Sequence, residues 1–143
     1  MKKLLYTFLL FSIIFSACEK EEELNNNSNV NITDSNIAGI WKATSLILDS
    51  DELVIQGFTT CYFHIRSDMT FSQYFDAFDG SYEYQDGTWE LSGSDLKINF
   101  ITGEFVHYYI NSFTSNTASL NLVEYLDDGI PKYTTGSCSL VKQ

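Results

Sequence analysis

The chain has 143 residues, with 19 Asp and Glu against 8 Lys and Arg, a formal charge of −11, and 15% aromatic residues. That acidic balance excludes nucleic acid and anionic headgroups as electrostatic partners, because neutralising phosphates requires clustered Lys and Arg. The length suffices for one domain past any leader, and not for two.

Lys2 and Lys3 precede an apolar run from Leu4 to Phe15, followed by Ser16, Ala17 and Cys18. A run of about a dozen apolar residues is short of the ~20 that cross a bilayer as a helix, so residues 1–17 read as a signal peptide. Phe15-Ser16-Ala17-Cys18 resembles the lipobox of bacterial lipoproteins, with Phe15 where leucine is commoner. The resemblance implies cleavage before Cys18 and a lipid on its sulfur. Two or three acyl chains, at ~0.8 kcal/mol per buried methylene, hold a protein stably on a membrane. Removal of Lys2 and Lys3 with the leader takes the formal charge from −11 to −13. Residues 18–36 then form an acidic and Asn-rich tether, too polar to offset the entropy of ordering, and are expected to be disordered. Within it, Glu19, Lys20, Glu21, Glu22 and Glu23 resemble the acidic export signal of Bacteroidetes-type lipoproteins, which implies display on the outer membrane surface.

Residues 37–143 read as one domain of strands and hairpins. The strand-like runs are Ile40 to Leu48, Cys61 to Ile65, Thr70 to Phe75 and Ser81 to Tyr84, the last ended by Asp86-Gly87. Thr88 to Leu91, Leu96 to Thr102, Glu104 to Phe113, Thr117 to Tyr125 and Lys132 to Val141 follow. Most are joined by short Gly, Asp, Asn or Ser links, the signature of hairpins. Leu96, Ile98 and Phe100 share one face, and Trp89 alternates with Glu90 and Leu120 with Asn121, the period of two of a sheet wetted on one side. No stretch after Cys18 carries a convincing helical period. Pro131 sits beside the turn Asp127-Asp128-Gly129, where a missing N–H costs little. About eight strands on short links predict an all-β, antiparallel up-and-down barrel, which leaves no exposed edges. A two-sheet sandwich fits the same alternation but needs long return connections. The longer link from Asp49 to Thr60 is placed to fold over one open end.

These residues resemble a family. Gly39-Ile40-Trp41 is similar to the G-x-W near the first strand of lipocalins. Phe63 to Phe71 and Gly87 to Leu96 resemble two hairpins of bacterial lipocalin-like lipoproteins, and Leu140-Val141-Lys142 resembles their final strand. Met69 stands where the first hairpin normally has glycine, so the turn must use Asp68, or another turn type, to manage a positive φ. The resemblance implies a lipocalin-like barrel, with Trp41 at its base, and no particular ligand.

Several residues are candidates for a site. Trp41 and Trp89 read as structural barrel aromatics in preference to ligand-stacking groups. Phe75, Phe78, Tyr82, Tyr84 and Tyr109 are candidate contacts for a ligand or a partner. They are expected either to rim a mouth that admits a flat or apolar molecule, or to form a protein-facing patch, or simply to favour strands. Cys61 and Cys138 either pair, closing a loop of about 77 residues worth several kcal/mol, or stay as two buried thiols. His64 and His107 lie on separate strands without zinc-ligand spacing. Asp76, Asp79 and Asp86 lack the ordered loop of a calcium site. No metal or cofactor is expected. No catalytic motif appears, and the carboxylates fall mostly in turns or outward positions, so no enzyme is expected. The sequence thus points to a monomeric, lipid-anchored envelope protein whose barrel binds a small, partly apolar ligand. The alternative is a filled barrel acting as scaffold for aromatic loops that bind a partner protein or glycan.

Overall fold

The structure, a computed structural model, describes residues 31–53 and 58–143. Cys18, the signal peptide, the acidic run and most of the tether lie outside the described residues. The described residues include part of the segment read as tether: α1 (Asp34–Ile37) is a single helical turn opened by a capping box, with Thr33 accepting from the Asn36 N–H and Asn36 returning a bond to the Thr33 backbone. So short a helix has no periodicity to reveal it, and burial of Ile37 rather than intrinsic propensity holds it.

Ten strands follow: β1 (Gly39–Leu48), β2 (Asp51–Glu52), β3 (Phe58–Ile65), β4 (Thr70–Ala77), β5 (Tyr82–Ser92), β6 (Asp95–Phe100), β7 (Glu104–Phe113), β8 (Thr117–Asp127), β9 (Ile130–Tyr133) and β10 (Gly136–Lys142). Eight of them close a barrel in the order β1-β3-β4-β5-β6-β7-β8-β10, with β10 pairing back onto β1; every pairing is antiparallel. β2 pairs antiparallel beside the end of β1, and β9 beside the end of β8.

Two sequence expectations change. Asp86-Gly87 does not end a strand, because β5 runs unbroken through it. At Gly87 any Cβ would collide with the carbonyl oxygen of Asn99 on β6, so this glycine allows close approach of two backbones in place of a turn. Conversely, the run from Lys132 to Val141 breaks at Thr134 and Thr135. There Asp49 Oδ1 accepts both backbone N–H groups at 2.9 Å, which separates β9 from β10.

Bulges decide which side chains face inward. In β1 the buried residues are Trp41 and Ala43, then Leu46 and Leu48, the parity changing where the register with β10 slips between Ala43 and Ser45. In β8 they are Ala118, Leu120 and Leu122, until an unpaired Val123 opposite β7 turns Tyr125 inward. One extra residue exchanges the two faces of everything beyond it.

The two ends of the barrel differ. At one end α1 packs beneath Trp41, which is fully buried, donates from Nε1 to the Ile37 carbonyl at 2.8 Å and lies 5.8 Å from the Phe113 ring. Lys142 Nζ stands 5.2 Å over the Trp41 ring and donates to the Asn36 carbonyl. Trp89 Nε1 donates to the Arg66 carbonyl in the β3–β4 turn at this same end. In that turn the positive φ falls on Met69 itself, at 65°, and not on Asp68. The opposite end is formed by the β4–β5, β6–β7 and β8–β9 turns and is open among the described residues; Leu53, from the link expected to fold over an open end, lies beside its cavity, and residues 54–57 of that link lie outside the described residues.

Candidate functional site

The core is apolar from Trp41 upward through Phe63, Phe71, Ile98, Leu120 and Leu140. Toward the open end the packing stops, leaving a cavity of about 170 Å³. Its floor is Leu46, Leu48, Phe75, Ile98, Phe100 and Val106, and its neck carries Gln73, Glu83, Gln85, Glu104, Tyr125 and Lys132.

Glu104 organises the neck. It opens β7 on the inward parity of Val106 and Tyr108 and is 7% exposed. One carboxylate oxygen accepts from Lys132 Nζ at 2.7 Å and Tyr125 OH at 3.0 Å, the other from Gln85 Nε2 at 2.8 Å and Thr102 Oγ1 at 3.1 Å. Burial pushes the Glu104 carboxyl up, but the hydrogen bonds from Lys132, Tyr125 and Thr102 outweigh it and hold the group below its ordinary value. The bond to Glu104 raises Lys132, while burial, with the Glu104 charge next, raises Tyr125. At neutral pH the neck therefore holds an ammonium on a carboxylate, walled by a neutral phenol. Lys132 also stands 3.6 Å from Asp127 Oδ2 and 5.5 Å over the Tyr125 ring.

Glu104 is the exception, among the described residues, to the expectation that carboxylates fall mostly in turns or outward positions. Glu104 begins a strand directly after a Thr-Gly turn, where a solvated carboxylate is the ordinary expectation, and Tyr125 faces inward only through the Val123 bulge. The pairing of Glu104 with Val106 and Tyr108 at alternate positions was the available signal.

The candidate aromatics divide. Phe75 lines the cavity. Phe78 stands exposed in the β4–β5 turn, and Tyr82 and Tyr84 point outward from β5 at 59% and 48% exposure, so they do not rim the cavity. Tyr109 is also outward, beside a groove at the capped end that includes Ile32 and Asn111. The outward tyrosines make a stripe across three strands instead. Tyr62 and Tyr74 stack at 5.2 Å, Tyr74 and Tyr82 lie 6.1 Å apart, and Tyr82 and Tyr84 6.4 Å. Tyr74 OH meets His64 Nε2 at 2.7 Å, and Tyr84 OH donates to Asp86 at 2.6 Å.

Cys61 and Cys138 are buried thiols, not bonded to each other. β1 lies between their strands, and two interstrand spacings of about 4.8 Å exceed the ~7 Å limit on Cα separation for a disulfide. Burial pushes the Cys61 thiol up to about 12. His107 bonds Asp95 at 2.8 Å, Asp76 takes the Thr60 hydroxyl, and Asp79 caps the Ser81 N–H. Among the described residues no three His, Cys, Asp or Glu side chains converge on a metal position.

The comparisons agree with this architecture. The lipocalin-like domain family matches residues 37–120. A lipocalin-like protein from Bacteroides uniformis superposes with a TM-score of 0.53 at 14% identity, over 76% of this chain and 99% of that one. An uncharacterized protein from Bacteroides eggerthii does so with a TM-score of 0.52 at 14% identity, over 74% and 98%. At such identity the likeness is one of fold. No curated protein matches the sequence.

Proposed function

The chain belongs to the lipocalin-like domain family, and from that premise we propose that its barrel binds one small, partly apolar molecule at the open end and does not transform it. The observation that carries this reading is the cavity: an apolar floor below a neck where Gln85, Tyr125 and Lys132 all bond Glu104, at the end of the barrel opposite the tryptophan plug. A few placed polar groups over an apolar wall are what small-molecule sites use for orientation and affinity respectively. Family membership adds weight, since lipocalin-like proteins are generally non-catalytic. Native mass spectrometry of protein purified from its host tests it. A bound mass lost in Val106→Phe, which fills the floor, supports the reading; bare protein alone in every preparation overturns it.

The anchoring belongs to the same proposal. Lipid on Cys18 holds a monomer on the outer membrane, facing outward. The described chain enters the barrel at its plugged end, so a tether there leaves the open end pointing away from the lipid. Labelled palmitate should enter the wild type and not Cys18→Ser. Protease applied to intact cells should cut the domain.

A second reading has one observation in its favour. The outward stripe Tyr62, Tyr74, Tyr82 and Tyr84 is apolar, polar-tipped and partly exposed, the composition of an interaction surface for a partner protein or glycan. Loss of capture from envelope extracts in Tyr82→Ser/Tyr84→Ser, with cavity binding intact, would favour it.

A further inference from the structure

We infer that the cavity selects a cationic amphiphile, placing an ammonium head on Glu104 and a short apolar tail against Phe75 and Ile98; this rests on the barrel being a small-molecule binder. The neck already holds such a head. Lys132 Nζ sits 2.7 Å from Glu104 Oε1 and 5.5 Å over the Tyr125 ring, so a buried carboxylate and an aromatic face together form a cation subsite, occupied by the protein's own side chain.

Lys132 can give way. It stands on β9, the short strand beside the end of β8, and a second carboxylate, Asp127, lies 3.6 Å from its Nζ. A ligand ammonium can therefore take the place on Glu104 while Lys132 turns to Asp127. The exchange leaves no buried charge unpaired, which is the condition for it to be cheap. An anionic head meets the reverse situation. It would face both Glu104 and Glu83 across the neck, with Lys132 already engaged. A neutral head loses only the charge-assisted bond. Size restricts the tail: about 170 Å³ lies below the ~300–1,000 Å³ of drug-sized ligand sites, which favours a short chain.

The test compares hexylamine, hexan-1-ol and hexanoate by calorimetry with the intact protein at neutral pH. Hexylamine is expected to bind roughly tenfold or more tightly than hexan-1-ol, with hexanoate weakest. Glu104→Gln should erase the preference for the amine and spare the alcohol. Should that variant fail to fold, Glu83→Gln, at an exposed position, should reduce the amine preference several-fold. Lys132→Met removes the internal competitor and should tighten amine binding. Hexanoate or hexan-1-ol binding as tightly as the amine, or a preference unchanged in Glu104→Gln and Glu83→Gln, overturns the charge selection. If the alcohol binds but the amine is not favoured, the binding barrel stands and this inference falls. If none of the three binds while a bound mass persists in host-purified protein, this inference alone falls; if neither is seen, both fall.

Discussion

Met69 carries a φ of 65° in the β3–β4 turn, a conformation that costs an L residue with a side chain about 1–2 kcal/mol. Its side chain is 40% exposed, so little packing compensates. Glycine is free of that penalty but loses more entropy on folding. Met69→Gly should therefore stabilise the domain by about 0.5–1 kcal/mol, read as a rise of a few degrees in the thermal midpoint; a fall would contradict the strain. Asp49 gives a prediction in pH. Backbone bonds from Thr135 and Thr134 hold its carboxyl below the ordinary value. A depressed carboxyl contributes stability that is complete above its unfolded value, near 4, and is lost as pH falls through the native one. The difference between wild type and Asp49→Asn in urea midpoints should be constant from neutrality to about pH 5 and shrink below about pH 4. A difference unchanged at pH 3 would show that the charge on Asp49 does not hold the β9–β10 break.

Individual strands of this barrel are shaped by exceptions to alternation. β5 passes through Gly87 because only a missing Cβ lets β6 approach, with the Ile101 N–H bonding the Asp86 carbonyl at 2.9 Å. Gly87→Ala forces two backbones apart in the middle of a closed sheet. Overpacking of this kind costs typically 1–3 kcal/mol, and a backbone atom yields less than a side chain, so about 2 kcal/mol or more is expected in chemical denaturation. Full retention of stability would mean that the β5–β6 contact is slack. In β8 the Val123 bulge brings Tyr125 onto Glu104, and in β7 the register slip between Ile110 and Ser112 puts Phe113 against Trp41. Bulges thus supply both the polar neck at the open end and part of the plug at the other.

Closure of the whole sheet sets what the cysteines do. β1 separates Cys61 from Cys138, and both thiols point into packed core. Melting curves with and without reductant should coincide, and native protein should resist alkylation at Cys61, whose thiol burial has pushed up to about 12. A reductant-dependent midpoint would require a different strand order. Much of this architecture was legible in advance. Leu96, Ile98 and Phe100 alternate as strand β6 does, the Gly and Asp turns other than Asp86-Gly87 fall where hairpins reverse, and short links imply a closed meander. The polar neck was less legible, because Glu104, Tyr125 and Lys132 lie on three successive strands and meet only through the register of those strands and the Val123 bulge. The class of fold and most strand positions could be read from the chain alone, since both follow from side-chain period and turn chemistry, which are local. Which carboxylate is buried, which tyrosines face out and whether two thiols can meet were decided by the tertiary structure alone. These depend on which face of the closed sheet turns inward, on where bulges fall and on which strands become neighbours, and a single inserted residue reverses the face of every side chain beyond it.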